Sequence, residues 1–275
     1  MSKEIIVKNI SEYIVHVNSI CQDDSNGTFR YFFRGENNDR KGKKNMPSVF
    51  LNQNLLENEH ILIKEAISRF PEIYGRDMST FQKLVRMRHY ELPVRLLDIS
   101  SSPLVSLYFA CAECDRKDVE EKDKDGFVYI FKRKKTDIKY YDSDNVCVLS
   151  NLAHMDYDFN VSRKGHLLHK IKEDRPDFYE LFGDNLSELN DKCVCVIPQY
   201  NNDRVKIQQG AFFLLGLHDG KKCALNVEHD VAIRIPNIEK KDILNNLKIL
   251  GYENSKLFPE ELEVFRTLKA EYNNK

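Results

Sequence analysis

Five short runs dense in aromatic and β-branched residues constrain this chain most: residues 29–33, 127–131, 193–197, 211–215 and 231–235. Each has the length and composition of a β-strand. Other segments carry apolar residues at helical spacing. Ile61, Ala66, Ile67 and Phe70 mark one helix, and Phe81, Leu84, Val85 and Leu92 a second. Leu104, Leu107, Tyr108 and Cys111 mark a third, with Ser102 as N-cap and Pro103 at its first position. Ile243, Leu244, Leu247 and Leu250 form a fourth, closed by Gly251. Pro259, Glu260 and Glu261 open a last one with Leu262, Phe265 and Leu268 on its apolar side. Strands and helices come in separated groups rather than in strict alternation. That pattern predicts an α+β fold, a mixed, mostly antiparallel sheet flanked by helices. No G-x-G-x-x-G or P-loop motif occurs, which removes the standard dinucleotide and Walker readings.

The 275 residues suffice for one large domain or two small ones. A boundary is conceivable only near residues 113–125, where eleven of thirteen residues are charged with mixed signs. The stretch has neither Pro nor Gly, so it reads as a solvated excursion within one domain. Residues 1–27 are expected as an N-terminal helical extension, and 28–275 as the domain proper. With 42 basic and 43 acidic residues the formal charge is -1, which argues against a surface built wholly for nucleic acid or anionic lipid. No apolar run approaches the roughly 20 residues of a membrane span, and lysines interrupt residues 1–8 too early for a signal peptide. Seven irregularly spaced cysteines fit reduced cytoplasmic thiols. Cys111 and Cys114 have the spacing of half a zinc site, but Cys193 and Cys195 do not supply the other half, so no metal is expected.

Three polar segments stand out. In the first, the aromatic run 31–33 ends in Arg34, Gly35 and Glu36. A guanidinium there suits a phosphate or carboxylate ligand, or equally a core carboxylate such as Asp98. Gly35 permits close approach of a ligand or of another backbone. In the second, residues 87–103 bring His89, Glu91, Arg95, Asp98, Ser100, Ser101 and Ser102 together between core helices. A short strand over 94–99 would set Arg95 and Asp98 on opposite faces. The serines then lead into a helix N-terminus suited to an anion, or merely cap it. His89 is a candidate acid–base group, or a hydrogen-bonded structural histidine. In the third, Arg204 and Gln208 precede Gly210 at a strand start, where the amide could orient a ligand or play no role.

These segments resemble the FRG domain family, named for the motif seen here as Phe33-Arg34-Gly35. The resemblance continues through Pro47-Ser48, the block His89, Tyr90, Leu92, Pro93, Arg95, Leu96, Leu97, Asp98, and then Tyr108-Phe109-Ala110. It extends to Arg204, Gln208, Gly210, Phe212 and the stretches 247–251 and 257–259. The chain departs from the family pattern at Arg88, Glu91, Val94 and Ile99. The order of motifs in turn resembles that of ADP-ribosyltransferases, which implies that type of fold and NAD as substrate. On that resemblance Arg34 and Gly35 would hold the pyrophosphate, with Arg95 and Arg204 as further cationic contacts. Ser100 and Ser101 would steady the nicotinamide ribose or a neighbouring strand, and Gln208, Asp98 and His89 would serve the reaction. The acceptor would be a protein or a nucleic acid, and the setting a bacterial defence or toxin system. Gln208 stands where a glutamate is expected, and an amide supplies neither charge nor base. Asp98 or Glu91 would then have to serve. Two other readings stay open: a non-catalytic module binding nucleotide or nucleic-acid phosphate through Arg34, Arg95 and Arg204, and a hydrolase built on His89 and Asp98.

Overall fold

Successive residues of a strand face opposite sides of its sheet, so the aromatic run at residues 29–33 must feed two cores at once. It does so in the computed structural model, which describes residues 4–22, 24, 26–40, 42–75, 78–112, 124–160, 164–178, 193–218, 220–260 and 265. The strands among these are β1 (Glu4–Ile6), β2 (Phe29–Glu36), β3 (Leu96–Ser100), β4 (Gly126–Lys134), β5 (Lys139–Tyr140), β6 (Cys193–Ile197), β7 (Gly210–Leu215) and β8 (Val231–Ile235). They form one mixed sheet in the order β1-β8-β4-β2-β3-β7-β6-β5. The β1–β8 and β5–β6 pairs are parallel and the other pairings antiparallel.

The helices are α1 (Ile10–Gln22), α2 (Gln53–Glu57), α3 (Glu59–Arg69), α4 (Thr80–His89), α5 (Pro103–Cys111), α6 (Asp144–Asn151), α7 (Lys164–Asp174), α8 (Asp203–Ile207), α9 (Asn237–Ile249) and α10 (Asn254–Leu257). Ser79 and Gln82 form a reciprocal capping box on α4, and the Ser102 hydroxyl accepts from Val105 N at the start of α5. Phe32, Leu97, Ile99, Tyr129, Phe131 and Phe213 pack on one face of the sheet with Val49, Phe50 and Leu56. The opposite face carries two separate clusters. Phe33, Val128, Ile130 and Ile233 meet α1, α5 and α9 in one. Leu96, Phe212, Leu214 and Val196 meet α4, α6 and α7 in the other. The gap between these two clusters falls at the junction of β2 and β3.

That junction is thin. β2 matches β4 over eight residue pairs but matches β3 at the single pair Phe33–Ser100. Helix α5 crosses just beside it and lies very close to the sheet. A Cβ on Gly35 would come within 2.0 Å of the Ser106 carbonyl oxygen, and one on Gly126 within 2.1 Å of the Ala110 carbonyl oxygen. Gly35 therefore admits another backbone, the helix above it.

The structure changes two expectations and leaves a third outside the described residues. Residues 1–27 are not a purely helical extension: β1 adds an edge strand, and Val7, Tyr13 and Val17 are core residues, with the Tyr13 hydroxyl donating to the Pro103 carbonyl at 2.8 Å. The strand predicted at 94–99 begins at Leu96, because Arg95 is drawn into a buried ion pair with Glu59. The expected loop at 113–125 and the last helix lie outside the described residues, apart from residues 124, 125, 259, 260 and 265. No helix among the described residues is long and apolar enough to cross a membrane.

Replacing Gly35 with Ala forces a methyl group into helix backbone that cannot move independently. Overpacking of this kind costs about 3 kcal/mol. Urea denaturation of Gly35→Ala should show that loss or a failure to fold; wild-type stability would mean that α5 sits further from β2.

Candidate functional site

The gap between the two clusters is lined with polar groups. Asp98 shares its face of β3 with Leu96, and its Oδ2 accepts from both Arg88 Nε and Arg88 Nη2 at 2.7 Å. Arg88 is on the inward side of α4 because it lies four residues after the buried Leu84. Arg34 reaches the same place from β2. Its Nη1 donates to the Asp98 carbonyl oxygen at 2.7 Å, and its Nε to Glu36 Oε1 at 3.1 Å. The guanidinium thus stands in for strand–strand hydrogen bonds that β2 and β3 do not make beyond Phe33 and Ser100.

Arg204 arrives from α8. Its Nη1 donates to the His89 carbonyl oxygen at 2.9 Å, its guanidinium lies 4.4 Å from the Phe258 ring centroid, and Glu260 Oε1 is 3.7 Å away. Phe258 also packs edge-on against Phe109 of α5, 5.8 Å between centroids. The segment after α10 therefore bridges α8 and α5 across the gap. Glu260 Oε2 is buried and has no hydrogen-bond partner among the described residues.

The electrostatics follow from this ring of cations. Burial pushes the Asp98 carboxyl up, but the guanidiniums of Arg88, Arg34 and Arg204, with the hydrogen bond from Arg88, outweigh it and hold the group below the usual carboxylate range. Its side chain is still 40% exposed, so an ionised carboxylate is presented to solvent. His89 behaves oppositely. Burial pulls its imidazole down to about 4, opposed by Asp98 and reinforced by Arg204, Arg88 and Arg86. Its ring rests 6.3 Å from Phe212, with Nδ1 buried and unpartnered among the described residues. At neutral pH it is an uncharged group, without the imidazolium proton that a histidine general acid ordinarily gives up.

Arg34, Asp98, His89 and Arg204 are thus brought together, with Gly35 directly under the adjacent helix. The serines are near but are spent on the chain. Ser100 Oγ donates to the Gln208 carbonyl at 2.6 Å and accepts from Ser102 N, while Ser101 is tied to the Gln209 carbonyl. These bonds tie the serines to the turn between α8 and β7. Gln208 adjoins the site, but its amide donates to the Leu257 carbonyl at 3.0 Å.

Arg95 is a correction. It is 1% exposed, ion-paired with Glu59 through two nitrogens and bonded to the Leu215 carbonyl, so its fork is shut off from any ligand in the gap. Lys222 joins the same buried Glu59 at 2.9 Å. Arg34 also differs from expectation, since its side chain is only 13% exposed and committed to Glu36 and Asp98. The cations open to a ligand are Arg88 and Arg204, at 25% and 20% exposure. Arg88, Phe258 and Glu260 were not singled out from the sequence. Arg88 had a readable signal, a charged residue in register with Phe81, Leu84 and Val85; Phe258 lay in the stretch 257–259 that shares the family resemblance, and Glu260 had none.

The FRG domain family matches residues 29–119, the stretch that supplies Arg34, Arg88, His89, Asp98 and the serines. No curated protein and no solved structure matches the chain.

Two outcomes follow. Arg34→Ala should cost about 3 kcal/mol, because it leaves the buried Glu36 carboxylate without its cation; an unchanged urea midpoint would show that Arg34 does not hold the strands. His89 binds its proton less readily in the folded chain than in the unfolded one, so its contribution to stability is complete above about 6.5 and is lost as pH falls towards about 4. Its imidazole resonances should titrate near pH 4, and a midpoint near 6.5 would mean an open, solvated ring.

Proposed function

We propose that this chain, which carries an FRG domain at residues 29–119, binds NAD at the β2–β3 gap and cleaves its nicotinamide glycosidic bond, in the manner of an ADP-ribosyltransferase. The reading rests on Asp98, an ionised, partly exposed carboxylate that is paired with Arg88 and feels the charges of Arg34 and Arg204 nearby. Glu36 balances Arg34 and Glu260 stands 3.7 Å from Arg204, so a phosphate would be drawn by the partly exposed N–H groups of Arg88 and Arg204 rather than by a net excess of charge.

Binding and chemistry would be linked through an exchange of ion pairs. An incoming pyrophosphate takes the outward N–H groups of Arg88 and Arg204. Arg88 then turns part of its charge from Asp98 to the phosphate, and Asp98 is left to face the ribose. The bond from C1′ to nicotinamide breaks with both electrons leaving on the ring nitrogen. Positive charge develops at C1′, where a carboxylate stabilises it. Water or another hydroxyl attacks C1′ and gives its proton to Asp98 or Glu260, from which it passes to solvent. Neutral His89 and the Phe258 ring would restrict water around the reacting sugar.

One observation favours a second reading, a phosphate-binding module without turnover. The Gln208 amide is held by the Leu257 carbonyl, so the residue at the position expected to carry a catalytic glutamate is structurally engaged.

Calorimetry with NAD and assay of released nicotinamide separate the two. Arg88→Ala should weaken NAD binding about 10–100-fold, the worth of charge-assisted hydrogen bonds. Asp98→Asn should keep binding and abolish release. Wild-type binding without release would favour the module, and an absence of both would remove NAD from this site.

A further inference from the structure

Gln208 directly follows α8, and its backbone is fixed on both sides. Its N–H donates to the Arg204 carbonyl at 2.9 Å, and its carbonyl accepts from Ser100 Oγ at 2.6 Å. The next residue continues the tie, the Gln209 carbonyl accepting from Ser101 N at 3.0 Å. Residue 208 is therefore held between α8 and the end of β3, and its side chain is free to reach outward.

That side chain grips the opposite wall of the gap. Its Nε2 donates to the Leu257 carbonyl at 3.0 Å. Leu257 is the last residue of α10 and is 2% exposed. The residue after it, Phe258, sets its ring 4.4 Å from the Arg204 guanidinium. The backbone of Gln208 thus fixes the helix that carries Arg204, and its amide fixes the ring that covers Arg204. Arg204 Nη1 is taken by the His89 carbonyl, whereas Nε and Nη2 have no partner among the described residues. A guanidinium clamped between a carbonyl and a ring has lost its rotational freedom before a ligand arrives. An anion that meets its remaining edge does not have to order it.

The same bond fixes the identity of residue 208. A carbonyl can only accept, so residue 208 has to donate. Glutamine does, whereas an ionised glutamate would set two acceptors against each other. Methionine would fill the same space without the bond.

We propose that Gln208 is a positioning residue, which holds Leu257 and Phe258 against Arg204 and so presets that guanidinium for the phosphates of a bound nucleotide. The inference rests on the phosphate-binding reading of this site, and it gives Gln208 no contact with the reacting sugar.

The chain has no tryptophan, so Phe258→Trp supplies a single indole that reports on the wall. In that background Gln208→Met and Gln208→Glu keep the size of the side chain and remove the donor. Acrylamide quenching of the indole at neutral pH should rise about twofold with Gln208→Met, and further with Gln208→Glu, where two acceptors oppose each other. Near pH 5 the introduced carboxyl, raised above its usual value of about 4.3 by the facing carbonyl, takes up a proton and becomes a donor. Quenching should then fall back with Gln208→Glu and stay high with Gln208→Met. His89, Asp98, Arg204 and Glu260 are common to both variants, so their titration cancels in the comparison. With Phe258 intact, Gln208→Met should weaken binding of inorganic pyrophosphate and of NAD about fivefold by calorimetry. The role given to Gln208 is overturned, with the phosphate reading left standing, by quenching that neither substitution alters, by a Gln208→Glu chain that acid does not restore, or by ligand binding that Gln208→Met leaves unchanged. A wild-type chain that binds neither pyrophosphate nor NAD overturns the phosphate reading and this role with it.

Discussion

The guanidinium of Arg34 is the contact on which the centre of this molecule depends. It donates to a backbone carbonyl of β3 and to the buried carboxylate of Glu36, at a point where the two middle strands share a single ladder pair. A strand pair that opens exposes N–H and C=O groups that must be satisfied, and a planar fork of five donors can satisfy several at once. Because the strands part there, the helices on one face form two groups rather than a continuous layer. The space between them is polar, and both Asp98 and the buried Glu36 border on the same residue.

Much of the architecture was readable from local pattern. The runs at 193–197 and 231–235 coincide with β6 and β8, and Ser102-Pro103 begins a helix where N-cap and first-turn chemistry place it. β1 was not readable, since three residues carry no periodicity, and their strand identity comes from pairing with β8 at the far end of the chain. β5 was missed for the same reason.

Within the site, the meeting of Arg34, His89, Asp98 and Arg204 could be read in part, while the departure of Arg95 and the arrival of Arg88, Phe258 and Glu260 could not. Arg34, Arg95 and Arg204 look equivalent in sequence, as arginines beside core strands. Their difference lies in partners distant along the chain: Glu36 and Asp98 for Arg34, Glu59 and Lys222 around Arg95, Phe258 and Glu260 for Arg204. Only Arg88 announced itself by position, as a charge on an apolar helical stripe. The family match ends at residue 119, so Arg204, Gln208, Phe258 and Glu260 come from a part of the chain beyond it.

Gly35 and Gly126 set α5 almost in van der Waals contact with the peptide planes of two neighbouring strands. A helix seated so tightly has no freedom to slide or tilt, and it acts as a rigid jaw. The opposing wall, residues 252–260, meets α5 through an edge-on pair of rings and a tyrosine–asparagine contact, and on the reading proposed above it is the side that would adapt to a bound molecule. On that reading, exchanging residues of 252–260 would tune selectivity while the arginine-bearing strand stays untouched.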